Sequence, residues 1–458
     1  MELGKYVEAL RGRGIAVIGA GVSNAPLIRL LLRGGCDVTV YDVCDREKLG
    51  DAAARMEGMG ARLSLGEGYL DRLEADVIFR TPGMRPDDPA LVRADGRGCV
   101  ITSEMEAFFE VCPCMTIGVT GSDGKTTTAT ITAQLLRRSG TTVHLGGNIG
   151  APLLAEADGM SKDDIAVIEL SSFQLMTMKR SPDIAVITNI TPNHLDYHSD
   201  MDEYVNAKRN IFIHQGGGGI AVFNRDDALS YPLSRYAQGE IRLFGTEPVA
   251  NGAFLEGGII KYAENGTVES VLDASEIKIR GAHNVGNFMA AITAARGLTR
   301  RGAAAETARS FGGVEHGIEF VRERGGAKYY NDSIASSPAR TAAGLRSFAE
   351  KVILIAGGKD KGVPFDSLAP EIIARVKTLV LTGLAAEKIR DAVVSCPGYA
   401  GEPEIIMSPG FADAVRAAAE RAKRGDTVLL SPACTSFDVF ANFEERGNCF
   451  KEIVNGLD

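Results

Sequence analysis

Short apolar runs recur along the chain, separated by longer stretches of mixed polarity. The clearest lie at 15–19, 38–41, 76–79, 115–120, 165–170, 184–188, 220–223, 351–356, 378–381 and 427–430. They are rich in β-branched residues and carry few polar positions, the pattern of strands buried on both faces of a parallel sheet. The intervening stretches have room for crossover helices, so the pattern predicts an α/β protein.

The 458 residues exceed what one hydrophobic core holds, and length alone suggests about three domains. Three strand-to-loop starts of nucleotide-binding character divide the chain: after 15–19, after 115–120, and from about Lys351 onward. They place domain boundaries near 98 and near 300, giving expected domains 1–98, 99–300 and 301–458. The glycine run 216–219 reads as a turn before the strand 220–223. No solenoid-period repeat and no low-complexity tail are evident.

The composition is that of a globular protein, and two features narrow its partners. Tryptophan is absent, aromatics make up 6% and the formal net charge is -9, which argues against a nucleic-acid partner. A small anionic substrate remains compatible, because local lysines and helix N-termini bind phosphate within an acidic protein. The N-terminal apolar run is strand-sized, so no secretion signal or membrane span is expected and the protein is read as cytoplasmic. Of eight cysteines only Cys112 and Cys114 form a tight pair, without a second pair at zinc-ribbon spacing; reduced thiols are the simpler reading.

The strongest chemical signal is Gly118-Val-Thr-Gly121-Ser-Asp-Gly124-Lys125-Thr126-Thr127-Thr128, between a buried strand and a helix at 129–138. Glycines let backbone N–H groups turn toward phosphate oxygens, and the helix N-terminus adds partial positive charge. Lys125 can reach terminal phosphates and the Thr126 hydroxyl can join a Mg2+ shell. The spacing is tighter than the usual Walker A, with Val119 where another glycine would stand. Magnesium also needs oxygen ligands at neighbouring strand ends. Glu169 ends the strand 165–170, and Asn189-Ile-Thr-Pro-Asn-His194-Leu-Asp196 follows the strand 184–188.

In order, Gly121-Ser-Asp-Gly-Lys-Thr-Thr, Asn148-Ile-Gly, Glu169-Leu-Ser-Ser-Phe-Gln and Asn189-Ile-Thr-Pro-Asn-His-Leu-Asp resemble the central domain of the Mur ligases, relatives of folylpolyglutamate synthase. The resemblance covers nearly the whole chain. It implies a central P-loop-type ATPase domain between Rossmann-like N- and C-terminal domains. It also implies ATP and two Mg2+ ions held by Thr126, Glu169, His194 and a carbamylated Lys208, with Gly121, Gly124, Lys125, Thr126 and Thr127 on the phosphates. Asn148 would lie beside substrate and phosphate, and Asn284 and Asn287, in Arg280-Gly-Ala-His283-Asn284-Val-Gly-Asn287, would face the adenine. Without the resemblance Lys208 reads as an exposed helix lysine.

The first glycine loop, Gly19-Ala-Gly21-Val22-Ser23-Asn24, precedes a helix, and Asp42 ends the next strand about 20 residues on, as in a dinucleotide fold. Asn24 replaces the third glycine. A dinucleotide site and a plain tight turn both fit these residues. The Mur resemblance instead implies that Gly19, Gly21, Val22 and Ser23 sit on the diphosphate of a UDP-linked substrate, with Asp42, Thr81 and Gly83 near the uridine.

In the last third, three polar loops end strands: Tyr330-Asn-Asp332-Ser, Gly357-Gly-Lys359-Asp-Lys361-Gly and Ser431-Pro-Ala-Cys434-Thr-Ser436-Phe-Asp438. Loops at one end of parallel strands form a crevice, and these suit a carboxylate-bearing amine. The run from Ser431 to Gly447 resembles the D-glutamate-adding Mur ligases, which implies that Ser336, Lys361, Ser436 and Phe443 line an amino-acid pocket and that Asp332 touches the nucleotide. Two positions depart from the family: Gly317 stands where an arginine is usual, and Ile334 where a lysine is usual. Cys434, just after a buried strand, reads as packed rather than reactive.

The Mur resemblance implies, as the expected activity, ATP-dependent amide-bond formation through an acyl phosphate, joining D-glutamate to UDP-N-acetylmuramoyl-L-alanine in peptidoglycan precursor synthesis. A monomer acting on small molecules, with neither nucleic acid nor membrane, is the expected form. Closure of the C-terminal domain over the central one would shield the acyl phosphate from water. Alternatives are another Mur-type ligase, a folylpolyglutamate synthase, an NAD-dependent oxidoreductase using the first glycine loop, or a lapsed nucleotide-binding protein, which Gly317 would suggest.

Overall fold

The apolar runs become the innermost strands of three sheets. The computed structural model describes residues 1–21, 24–150, 152–195, 197–279, 281–360 and 363–458. Val22, Ser23 and Lys361, expected at the site, lie outside the described residues.

The first sheet holds β1 (Gly14–Ile18), β2 (Asp37–Asp42), β3 (Arg62–Leu65), β4 (Val77–Phe79) and β5 (Val100–Thr102). All pair parallel, in the order β3-β2-β1-β4-β5. The strand order reverses between β1 and β4, so the loops after these strands flank the crevice where open α/β sheets bind ligands. Because β5 pairs with β4, this sheet runs past the boundary expected near 98.

The central sheet contains β6 (Met115–Thr120), β7 (Val143–Gly147), β8 (Ile165–Glu169), β9 (Ile184–Ile187), β10 (Ile220–Asn224), β11 (Glu240–Gly245), β12 (Gly252–Glu256), β13 (Ile259–Glu264) and β14 (Thr267–Asp273). Its order is β14-β13-β12-β11-β10-β9-β6-β8-β7. The strands read from the apolar runs pair parallel, while β13, outside those runs, pairs antiparallel with both β12 and β14. Gly257 and Gly258, at φ +58° and +78°, make the tight β12–β13 turn, a conformation that favours glycine at both positions. β14 is mostly exposed and carries no apolar run, so the pattern that marks buried strands passes it by.

The third sheet takes β15 (Glu319–Arg324), β16 (Ala327–Asn331), β17 (Val352–Gly357), β18 (Val376–Thr382), β19 (Glu404–Met407) and β20 (Thr427–Leu430), in the order β15-β16-β20-β17-β18-β19. Only β15 runs antiparallel, again across a glycine pair, Gly325 and Gly326.

The first two sheets belong to one unit, Met1–Glu276 with Val285–Thr307, and the third to another, Ile277–Asn284 with Ala308–Asp458. One core cluster in the first unit contains Val17 and Phe79 of the first sheet together with Phe108 and with Ile168 and Phe223 of the central one.

Candidate active site

β6 delivers the chain into the second glycine loop, and two glycines there have no substitute. Gly121 has φ +155°, and a Cβ on it would lie 1.9 Å from Thr188 Oγ1. Gly124 has φ +77°, and a Cβ there would lie 2.3 Å from Asn287 Oδ1. The helix Lys125–Arg138 then starts, four residues before the start expected from the pattern. The loop is fastened to the end of β9: Ser122 N–H donates to Asn189 O (2.9 Å), Asp123 N–H to Asn189 Oδ1 (2.9 Å), and Thr188 Oγ1 to Asp123 O (2.6 Å). Asn287 also accepts from Thr128 Oγ1 (3.2 Å), so this expected adenine-side residue does pack on the phosphate loop. Asn284 belongs to the other unit, where its N–H donates to Gly281 O.

Three expected residues meet at one carboxylate. Glu169 is 1% exposed; its Oε2 accepts from Thr126 Oγ1 (2.6 Å) and its Oε1 from Asn148 Nδ2 (2.8 Å). Lys125 donates to Gly121 O (3.0 Å) and Ser122 O (2.9 Å), folding its ammonium back over the loop.

Lys208 overturns the reading of an exposed helix lysine. It is 1% exposed, its Nζ donates to Gly121 O (2.8 Å), and it stands 4.7 Å from the Tyr204 ring centre. Burial, then the charge of Lys125, holds its ammonium well below the ordinary lysine range. His194 is exposed at φ +55°, with its ring centre 4.9 Å from Phe173, four residues after Glu169. Among the described residues no three His, Cys, Asp or Glu side chains gather as a metal site.

In the first sheet, Gly19 has φ +94° and a Cβ on it would lie 3.3 Å from Thr81 Cβ, so the loops after β1 and β4 touch. Both Asp42 oxygens are engaged, by Ala20 N–H (2.7 Å) and Cys44 N–H (2.8 Å). Asn24 fills the third glycine position and ties its amide to Ile18 O (2.9 Å) and Gly19 O (3.2 Å). Gly21 and Gly83 face open space.

In the second unit, Asp332 is buried, accepting from Ser431 Oγ (2.7 Å) and Ile318 N–H (3.3 Å), and burial pushes its carboxyl up to about 7. Ser436 is 2% exposed and its hydroxyl has no partner among the described residues. Phe443 opens the last helix, its carbonyl held by Ser333 Oγ (2.8 Å), and Ser336 is half-buried on the same strand-end loop as Asp332. Gly317 forms a bridge with Val314, and a Cβ there would make only ordinary contacts, so sterics do not impose the glycine. The cation acting on Asp332 is Arg340, which donates to Ile334 O (3.3 Å). Cys434 is 1% exposed, with burial pushing its thiol up to about 12, in keeping with a packed role. All eight cysteines are free thiols, and Cys112 and Cys114 have sulfurs 3.6 Å apart.

Two buried arginines escape sequence reasoning. Arg446 donates to Ser333 Oγ (2.9 Å), Ser333 O (2.8 Å) and Cys434 O (3.1 Å), bracing two crevice loops. Arg80, 1% exposed, sits beside Thr81. An arginine interrupting the end of an apolar run was the only available signal.

A family model for the Mur ligase middle domain matches residues 119–295, and one for the Mur ligase glutamate ligase domain matches 318–434. The chain is 48% identical to UDP-N-acetylmuramoylalanine--D-glutamate ligase of Clostridium novyi over 456 residues, 99% of each chain. It is 46% identical to the ligase of the same description from Acetivibrio thermocellus, over 100% of this chain and 99% of that one. Among solved structures, UDP-N-acetylmuramate-alanine ligase of Thermotoga maritima superposes with TM-score 0.61 at 18% identity, covering 97% of this chain and 99% of that one. The MurF ligase of Thermotoga maritima in complex with ADP gives TM-score 0.58 at 19% identity, covering 98% and 96%. At such identities these two structures speak for the fold alone.

Proposed function

The chain belongs to the Mur ligase family, and from that membership we propose that it joins D-glutamate to UDP-N-acetylmuramoyl-L-alanine at the expense of ATP, in peptidoglycan precursor synthesis. The observation that carries the reading is 48% identity along 99% of both chains to a ligase of that description. The glycine loop and its Glu169–Thr126–Asn148 cluster supply a site for its chemistry.

In this reading an oxygen of the L-alanine carboxylate attacks the γ-phosphorus of ATP and ADP leaves. The D-glutamate amine then attacks the acyl carbon, loses a proton and expels phosphate. Lys125 swings from Gly121 O to the phosphates, where its charge opposes the negative charge of the transition state. The amides of Gly121 to Lys125 orient the triphosphate, and Asn148 and Thr126 hold the Glu169 carboxylate in place. The first sheet binds the uridine diphosphate and the third holds D-glutamate against Ser436, Ser336, Lys361 and Phe443, with domains near the expected 1–98, 99–300 and 301–458.

The residues fit Mg2+, which takes one or two carboxylates when phosphates and water supply the remaining oxygens. Thr126, Glu169, His194 and carbamylated Lys208 would hold two such ions, which would contribute positive charge opposite the phosphates. An unprotonated amine is the form that adds to CO2, and burial shifts Lys208 toward it: an N–C bond forms, the nitrogen loses a proton and an anionic carbamate results. No helix among the described residues is long and apolar enough to cross a membrane, and a cytoplasmic monomer is the form we propose.

Phosphate release from ATP with UDP-N-acetylmuramoyl-L-alanine, compared with D-glutamate, L-glutamate and no amino acid, tests the reaction. Release that requires D-glutamate is expected. Release that prefers another amino acid would reassign the substrate, and none at all would remove the reading. Incorporation of isotopically labelled bicarbonate at Lys208 tests the carbamate separately.

A further inference from the structure

Arg80 directly follows β4 and is one of the largest fully buried side chains. Among the described residues no carboxylate bonds it directly, although the charge of Glu106 acts on it; its guanidinium donates to neutral acceptors beside two sheets. Nη1 donates to Thr81 O (3.3 Å), Pro82 O (3.3 Å) and Met84 O (2.5 Å), so it holds the whole loop after β4. Nη2 crosses to the central sheet and donates to Phe173 O (3.3 Å) and Thr177 Oγ1 (3.0 Å).

Both ends of this bridge adjoin chemistry. The loop after β4 is one wall of the first sheet's crevice, packed on Gly19 across the strand-order reversal. Phe173 lies just after β8, four residues beyond Glu169, and its ring stands 4.9 Å from His194 and 4.2 Å from Tyr197. Tyr197 returns the contact through its hydroxyl to Pro82 O (3.0 Å). On the outer side Arg85 reaches Glu203, on the helix Met201–Arg209 that carries Lys208.

We infer that Arg80 is a positioning residue that fixes the nucleotide-sugar crevice of the first sheet against the phosphate site of the central sheet, and so sets where the acceptor carboxylate meets ATP. The inference rests on the proposed reaction for its substrate and on this geometry for the residue. A planar guanidinium can bond five acceptors in two directions at once, whereas an ammonium has three donors on a flexible stem and cannot. Replacement by lysine therefore frees the crevice wall from the metal-side aromatic cluster without removing charge. Thr177→Val keeps the side-chain shape and removes one of the two crossing bonds, together with the long contact from Thr177 Oγ1 to Glu106 Oε2 (3.5 Å).

The test measures calorimetric binding of UDP-N-acetylmuramoyl-L-alanine and of a non-hydrolysable ATP analogue, with kcat and each KM, in wild type, Arg80→Lys and Thr177→Val. For Arg80→Lys we expect nucleotide-sugar affinity and kcat each to fall about tenfold, with ATP-analogue affinity and the D-glutamate KM held within about twofold. Thr177→Val should show the same split at about threefold, and it decides alone if the lysine variant does not fold. Equal losses for all three substrates would overturn the inference, since a loosened fold would act that way; so would unchanged binding and kcat in both variants. Wild type that binds the nucleotide sugar but releases no phosphate with D-glutamate would sink the proposed reaction, while the two binding measurements would still judge Arg80.

Discussion

Glu169→Gln separates charge from shape at the centre of the site. The carboxylate is 1% exposed and accepts one bond at each oxygen, from Thr126 Oγ1 at 2.6 Å and Asn148 Nδ2 at 2.8 Å. A glutamine can keep both contacts: its carbonyl oxygen accepts from Asn148, and its NH2 donates to the Thr126 hydroxyl once that hydroxyl rotates. Two charge-assisted bonds become neutral ones, a loss of about 1 kcal/mol each, and relief from burying a carboxylate offsets part of it. Net stability should change by about 1 kcal/mol and the melting temperature by less than about 4 °C. Activity is another matter, because the negative charge that would hold a metal ion against the triphosphate has gone. Loss of one preorganised electrostatic partner costs about 3 kcal/mol, or roughly a hundredfold in kcat. D-glutamate-dependent phosphate release and a thermal melt on the same preparation read the two effects. A folded variant whose kcat falls less than about fivefold would refute the assignment of Glu169 to the phosphate site.

Ser436→Ala removes a buried hydroxyl that has no partner among the described residues, so the melt should hold or rise slightly while the D-glutamate KM climbs about tenfold; an unchanged KM would remove Ser436 from the amino-acid pocket. Gly124→Ala forces a left-handed φ of +77° on alanine and drives its Cβ to 2.3 Å from Asn287 Oδ1, so ATP-dependent turnover should fall at least about a hundredfold, measured by phosphate release. Burial lets folded Asp332 keep its proton up to about 7, whereas the unfolded chain loses it in the ordinary carboxylate range. The stability that this group contributes is therefore complete at low pH and is lost as pH rises through about 7. Asp332→Asn should then gain melting temperature over wild type near pH 8 and little near pH 5, and equal shifts at both would contradict the cause.

The α/β class was legible because strands buried on both faces leave continuous apolar runs, and the strand 115–120 emerges with its expected bounds as β6. β3, β14 and β15 were not, since half-exposed edge strands carry mixed residues and take their conformation from a paired neighbour. The antiparallel hairpins were missed although their glycine pairs, Gly257-Gly258 and Gly325-Gly326, stand in the sequence, because adjacent glycines also mark plain loops.

Local chemistry was the chain's own to declare. Gly121, Gly124, Lys125 and Thr126 work through backbone conformation and reach within one turn, so a few consecutive residues specify the loop whatever surrounds it. Lys208, Arg80 and Arg446 depend on distance. Nothing near residue 208 announces that its helix will press the amine onto Gly121 O, 87 positions away, and nothing near residue 80 announces Thr177. The state of a long cationic side chain is set by the dielectric and acceptors around its tip, and those come from whichever strands the sheet brings alongside. Residue type and spacing carried the expectation of what this chain binds; only the tertiary structure decided which of its cations were buried, and burial is what changes their chemistry.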